Sequence, residues 1–308
     1  MKLVVVGSSN MDLVISVPKI PEIGETVLGG KSSMVFGGKG ANQAVASIRS
    51  GGDVSYIAKV GDDLFGENMK TYFKNEGFRT ELILTDASEP TGIAQIFVSE
   101  KGENSIAVAS GANMKLMPKD IEPFTHLIKN SKVVLLQLET PLETVGYIAS
   151  IAFQNNVKLI LNPAPARRLN KDLLKRVWLI TPNETEASIL TGIKVEDLIS
   201  AEKAAKDLLK KGVSNVIVTL GENGSLLCNK KSICHFPAFK TKSVDTTAAG
   251  DVFNGTLAVG ITNDKSLPES ISFATAAAAL SVTKEGAQPS IPTNAEIDNF
   301  LKEREYSK

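Results

Sequence analysis

Apolar residues recur along this chain in short runs, separated by longer segments where apolar positions return every three or four residues. The runs Leu3–Val6, Val133–Leu138, Lys158–Leu161, Val177–Ile180 and Asn215–Leu220 read as buried strands. Between them, Leu142–Asn155, Asp172–Arg176, Glu184–Thr191 and Ala201–Lys211 carry the helical period. Strand alternating with helix predicts an α/β fold whose central sheet is mostly parallel, with helices on both faces. Ile271–Thr283, with Ala274 and Ala276 to Ala279, predicts a helix packed closely on a neighbour, and Pro118–Asn130 reads as one amphipathic helix.

Two stretches break this rhythm. Leu13–Val17 and Glu25–Phe36 read as extended segments around Pro18, Pro21 and Gly24. Gly92–Val98 and Asn104–Ala109 alternate apolar and polar positions around Lys101-Gly102-Glu103, a hairpin signature. A doubly covered parallel sheet has no room for these strands, which come from about 12–36 and 92–109. They predict a small separate sheet, either a lid over the site or a peripheral extension.

Candidate chemistry concentrates where this pattern changes. Val244-Asp245-Thr246-Thr247-Ala248-Ala249-Gly250-Asp251 leads from a polar segment into a long apolar helix. Small residues at Ala248, Ala249 and Gly250 leave the first N–H groups of that helix uncovered, and such an end binds phosphate. Asp251 in that turn either complements the helix dipole or serves as a base toward an attacking hydroxyl. Near the N-terminus a buried strand stops at Gly7 and presents Asn10 and Asp12 just beyond its end, where open α/β sheets bind ligands. The pair can hydrogen-bond the hydroxyls of a polyol. In Phe36-Gly37-Gly38-Lys39-Gly40-Ala41-Asn42, three glycines permit close backbone approach before a helix that begins at about Ala41. That run reads as a second polar-ligand cradle or as an ordinary turn. Gly29-Gly30-Lys31-Ser32 is not a P-loop, because Glu25 stands where the first glycine is required.

Gly37-Gly38-Lys39-Gly40-Ala41-Asn42 and Asp245-Thr246-Thr247-Ala248-Ala249-Gly250-Asp251 resemble the two signatures of the ribokinase-type (PfkB) carbohydrate kinases. Gln137-Leu138-Glu139, Asn162-Pro163-Ala164-Pro165-Ala166, Thr181-Pro182-Asn183-Glu184-Thr185-Glu186-Ala187, Thr219-Leu220-Gly221 and Gly286-Ala287-Gln288-Pro289-Ser290 follow the family's order across nearly the whole chain. The resemblance implies one three-layer catalytic domain over 1–308 with a β-sheet lid that is also a homodimer contact. It implies ATP-dependent phosphorylation of D-ribose at its 5-hydroxyl. Its alternatives are a sibling kinase for deoxyribose, fructose or a nucleoside, and a non-catalytic sugar or nucleotide sensor.

Carried onto this chain, the resemblance makes Asp251 the general base and Ala248, Ala249 and Gly250 the anion hole. It assigns the sugar to Asn10, Asp12, Gly38, Lys39, Gly40, Ala41, Asn42, Glu139 and Asp251, and the nucleotide to Asn183, Thr219, Gly221, Gly224, Gly250 and Thr275. It implies potassium at Asp245, Thr247, Ser281, Lys284, Gly286 and Ser290, and magnesium placed by Glu186 through water. Several residues keep structural readings beside these. Lys39 meets a substrate hydroxyl or neutralises nearby carboxylates; Glu139 caps a helix; Gly221 and Gly224 close a hairpin; Glu184 and Glu186 complement a helix dipole.

Composition narrows the setting. The chain has 308 residues and 43% apolar content, enough for one large core. A formal net charge of zero removes the electrostatic case for nucleic acid or an anionic membrane surface. The opening apolar run is too short for a secretory signal, and no run reaches membrane-spanning length, so a cytoplasmic protein is expected. Cys228 and Cys234 read as free thiols on adjacent strands, and His126 and His235 as surface or packing residues.

Overall fold

The computed structural model describes residues 2–305. Among these, nine strands form the central sheet: β1 (Leu3–Val6), β4 (Val54–Gly61), β5 (Ile83–Asp86), β8 (Val133–Leu136), β9 (Lys158–Leu161), β10 (Leu179–Ile180), β11 (Asn215–Thr219), β12 (Ser225–Asn229) and β13 (Ile233–Phe236). Their spatial order is β13-β12-β11-β10-β9-β8-β1-β4-β5, parallel except at the β11-β12-β13 edge.

β1 shows why this sheet needs helices on both faces. Leu3 and Val5 point into one apolar layer, with Val45, Val252 and Ala274. Val4 and Val6 point into the other, with Ile148, Ala187 and Ala204. Helices Lys39–Arg49, Ala249–Thr262 and Leu267–Ser281 build the first layer, and Leu142–Gln154, Glu184–Thr191 and Leu198–Lys210 the second. The alanine-rich helix packs closely, as its composition predicts: a Cβ on Gly260 would lie 2.8 Å from Ser270 Oγ. Gly255 does the same for Lys39–Arg49, where a Cβ would lie 2.4 Å from Gln43 O. The two helices that open the candidate site are therefore locked backbone to backbone.

A second sheet stands apart, with β2 (Asn10–Val17), β3 (Ser32–Gly37), β6 (Gly92–Ser99) and β7 (Asn104–Ala109) in the order β3-β2-β6-β7. It is mixed, since β2 and β6 run parallel. Register puts Asp12, Val35, Ala94 and Val108 in one row of one face, and Val14, Ile96 and Ile106 in the next. The strand expected over Glu25–Phe36 is confined to Ser32–Gly37. Ahead of it, only Gly30 N–H to Ser16 O and Ser16 N–H to Lys31 O continue the pairing, because Gly29 and Gly30 have no side chains to pack.

Other differences also have local causes. Pro118–Asn130 is not one helix but Pro118–Ile121 and Thr125–Lys129 around a 3₁₀ turn that contains Pro123. β4 escapes the apolar-run pattern because Ser55 and Lys59 interrupt it. Lys59 is buried, with its ammonium 2.8 Å from Asp120 and 3.5 Å from Asp86. Cys228 and Cys234 are free thiols, and since Cys228 pairs with Ile233, Cys234 falls on the opposite face of the sheet.

Candidate active site

The site lies where β1 and β8 end, between the starts of helices Lys39–Arg49 and Ala249–Thr262. Each start has its own construction.

At Lys39–Arg49 the leading donors are already taken. Lys39 N–H donates to Glu139 Oε2 at 3.0 Å, Gly40 N–H to Ser8 Oγ at 3.2 Å and Ala41 N–H to Ser8 O at 2.8 Å. Ser8 Oγ in turn donates to Glu139 Oε2 at 2.5 Å. Glu139 thus caps a helix distant in sequence rather than the one after Pro141. The glycines serve the chain's own packing: a Cβ on Gly40 would lie 2.4 Å from Ser8 N, and one on Gly38 2.9 Å from Ser8 O. A Cβ on Gly37 would lie 2.1 Å from the Asp12 carboxylate. The expected ligand cradle is therefore filled by protein at its backbone, and its open groups are the side chains of Asp12 and Lys39, Asn42 being engaged by Asp251 and Gln288.

At Ala249–Thr262 the opposite holds. Ala248 adopts the left-handed conformation, φ 60°, that turns the chain into the helix. The first helical bond runs from Val252 N–H to Ala248 O, so the N–H groups of Gly250 and Asp251 precede the ladder. Gly250 is exposed, and a Cβ there would meet nothing within 4 Å. Ala249 N–H, expected in the anion hole, donates instead to Thr246 O at 3.2 Å, so the open donors of this end are those of Gly250 and Asp251.

Asp251 is buried at 6% exposure, and both of its oxygens accept amides. Asn42 Nδ2 donates to Oδ2 at 3.0 Å and Gln43 Nε2 to Oδ1 at 2.9 Å. Gln288 Nε2 donates to Asn42 Oδ1 at 3.1 Å. Asn10 is also held: Asn113 Nδ2 donates to its Oδ1 at 2.7 Å, so its own amide N–H groups remain to be offered.

Electrostatics draws the charged candidates together. Asp251 first, then Glu139, Glu186 and Asp12, raise the Lys39 ammonium against the opposing effect of burial, so it stays charged. Asp12 is pushed up to about 7, chiefly by burial and then by Glu139 and Asp251, with Lys39 opposing. Both readings of Lys39 therefore fit: it balances four carboxylates and stands among the residues expected at the sugar.

The nucleotide candidates are less tightly gathered. Asn183 and Thr219 meet in a parallel bridge, Thr219 N–H donating to Pro182 O. Asn183 and Glu186 form a reciprocal helix cap: Asn183 N–H to Glu186 Oε2 at 3.0 Å, Glu186 N–H to Asn183 Oδ1 at 2.8 Å. Burial raises the Glu186 carboxyl, and Oε1 takes no part in the cap. Gly224 is required by the sheet edge, since a Cβ there would lie 2.0 Å from Phe236 O, whereas Gly221 faces open space. Thr275 donates within its own helix, to Ile271 O.

Around Asp245, Oδ1 accepts from Thr247 N–H and Oγ1, and Oδ2 accepts from Gly286 N–H at 2.8 Å. Burial pushes this carboxyl up, but those hydrogen bonds outweigh it and hold it below the ordinary range. Lys284 turns its ammonium to Glu296 at 2.9 Å, leaving its carbonyl as the group it can offer. Ser281 and Ser290 donate their hydroxyls to Ala278 O and Ala287 O.

Ser8, Gln43, Asn113, Gln137, Asn162 and Gln288, all buried and polar, received no role from the sequence. Gln137, Asn162 and Gln288 stand in segments that carry the family resemblance, which marked the segments but not their part in the site.

The family described as pfkB family carbohydrate kinase matches residues 1–294. A ribokinase of Haemophilus influenzae is 48% identical over 97% of this chain and 98% of its own. A deoxyribokinase of Salmonella typhi is 36% identical over 98% of this chain and 99% of its own. The solved structure of an Arabidopsis thaliana ribokinase complexed with ribose and ATP superposes with a TM-score of 0.92 at 32% identity, covering 98% of both chains.

Proposed function

The chain belongs to the pfkB family of carbohydrate kinases, and on that premise we propose that it transfers the terminal phosphoryl group of ATP to the 5-hydroxyl of D-ribose. The observation that carries the reading is a buried carboxylate, Asp251, set in the first turn of a helix where the N–H groups of Gly250 and Asp251 stand ahead of the hydrogen-bond ladder.

Asp251 takes the proton of the 5-hydroxyl as that oxygen bonds to the γ-phosphorus. The bond to the β–γ bridging oxygen breaks, and ADP leaves with the electron pair. The N–H groups of Ala248, Gly250 and Asp251 hold the charge on the transferring oxygens, while that of Ala249 is committed to Thr246 O. Asp12 and Glu139 accept from sugar hydroxyls, Asn10 donates, and Lys39 and Asn42 complete the pocket. The part of the apolar face nearest Asp12, with Val35, Ala94 and Ile96, covers the sugar and keeps water from the phosphoryl group. The exposure of Ile106 and Val108, 54% and 52%, supports pairing with a second copy through that sheet.

Asn183, Thr219, Gly221, Gly224 and Thr275 take the nucleotide. Glu186, through Oε1, would hold a water of a magnesium ion bound with ATP, and that ion would supply neutralisation of phosphate charge. The oxygens of Asp245, Thr247, Ser281, Lys284, Gly286 and Ser290 form a hard donor set suited to potassium, which would brace the loop before the anion hole. The use of ATP sets the enzyme in the cytoplasm.

The test is ADP release with ATP, magnesium and potassium in the presence of ribose, 2-deoxyribose, fructose, adenosine or no sugar. Ribose is expected to stimulate most, and Asp251→Asn to lose about 10²–10⁴-fold in turnover. Near-parental turnover in that variant sinks the base assignment, and stronger stimulation by 2-deoxyribose moves the substrate to the sibling sugar. Exchanging potassium for tetramethylammonium is expected to slow the reaction several-fold; an unchanged rate removes the cation from the reading.

A further inference from the structure

We infer that Gln43 is a positioning residue for the base: it fixes the Asp251 carboxylate in the rotamer that faces the sugar hydroxyl. The inference rests on the reading of Asp251 given above.

Gln43 is 0% exposed, so no ligand reaches it. It sits under the carboxylate, on the side away from the pocket, where Gly255 lets the two helices touch. All of its polar capacity is directed. Nε2 donates to Asp251 Oδ1 at 2.9 Å and to Asn162 Oδ1 at 3.0 Å, while Oε1 accepts from Gln137 Nε2 at 2.5 Å. An ionised carboxylate accepts only, so its presence sets the direction of these bonds. The chain then closes on itself. Asn162 Nδ2 donates to Thr181 O, Thr181 Oγ1 to Asn254 Oδ1, and Asn254 Nδ2 to Gly250 O. One circuit thus joins the carboxylate to the backbone of the turn that faces the phosphoryl group. A carboxylate with a single amide, from Asn42, would retain torsional freedom about χ2. With a second amide on the other oxygen, the plane of the group is set.

The test uses Gln43→Met, which keeps volume and removes both donors. Turnover is expected to fall about tenfold, with KM for sugar and for ATP held within about twofold. A role in packing alone would lower the melting temperature and disturb KM and kcat together; that result, or turnover within about twofold of parental, overturns the inference. The same substitution in an Asp251→Asn background supplies a second readout. With no carboxylate left to orient, the added loss is expected to shrink below about twofold, and a full additional tenfold loss overturns the inference. Asp251→Asn alone, retaining parental turnover, is a different result and removes the base itself. If Gln43→Met does not fold, Gln137→Met carries the test, since it frees Gln43 Oε1 without touching Asp251. A loss of about threefold in turnover at unchanged KM is expected there, and no loss overturns the inference.

Discussion

Helices Lys39–Arg49 and Ala249–Thr262 both follow small-residue runs, yet one start is plugged and the other is vacant of protein. At the first, Ser8 and Glu139 take the leading N–H groups, and the glycines exist because the chain's own backbone lies against them. At the second, Gly250 has no neighbour across from its missing side chain, and the donors face outward. The same residue type thus marks close packing in one place and ligand access in the other. What separates the two is the partner across the gap, which no local pattern records.

The strongest way to break the comparison is to add one methyl group to each start. Gly40→Ala drives a Cβ to 2.4 Å from Ser8 N and 2.5 Å from the carbonyl carbon of Gly7, backbone atoms that have nowhere to go. A loss of about 3 kcal/mol of stability is expected, more than the roughly 1 kcal/mol that alanine returns in helix propensity. Gly250→Ala meets no atom, so its melting temperature is expected to match the parent or rise by about a degree. Its methyl group stands where the proposed function docks the phosphoryl group, and turnover is expected to fall about tenfold. Thermal melting and ADP release on both variants check this. Parental melting of Gly40→Ala, or full turnover in Gly250→Ala, erases the distinction.

A smaller effect sharpens the sugar side. With its carboxyl pushed up to about 7 from 3.8, Asp12 binds more protons in the folded chain than in the unfolded one between those values. Stability contributed by this group therefore falls as pH rises from about 4 to about 7, and stays lower above. In the proposed sugar site the ionised form accepts hydroxyls at both oxygens and more strongly than the protonated one, so kcat/KM for the sugar is expected to climb through pH about 7 while stability declines. Asp12→Asn is expected to lose that climb and to melt a few degrees higher at pH 8, by about 2 °C per kcal/mol recovered. A kcat/KM profile with no limb near neutrality contradicts it.

Much of this was legible from side-chain pattern. β1, β9 and the helix Glu184–Thr191 match their expected limits because each is uniformly apolar or plainly periodic. β4 was hidden by Lys59, whose charge is balanced by Asp86 and Asp120 from elements far along the chain. The residues around Asp251 divide the same way. Asp251, Asn42 and Asp12 announce themselves as polar groups at element ends. Gln43 lies inside a helix and does not, and Gln137, although it follows β8, gives no sign of its partner, because an amide facing the interior is indistinguishable in sequence from one facing water. Their role depends on bonds between residues separated by 94 and 208 positions.

The link Gly7-Ser8-Ser9 carries a mechanical consequence. It is all that separates β1 of the large sheet from β2 of the small one, and Ser8 and Ser9 are wholly buried. Tyr56 Oη donates to Ser8 O and shares a bond with Ser9 Oγ, while Asn113 clasps Ser9 at both its N–H and its carbonyl. Across the way, Gly38 alone joins β3 to its helix. The small sheet is therefore a cantilever clamped at its root, not a door on a pivot. Opening it at the clamp would unmake the bonds that seat Glu139 and Asn10, so any movement has to come from beyond the root, toward Ser16 and the segment between β2 and β3, where Leu28 is 88% exposed. If the proposed lid role holds, admission of a sugar becomes a matter of bending beyond a fixed root rather than of rotation about a hinge.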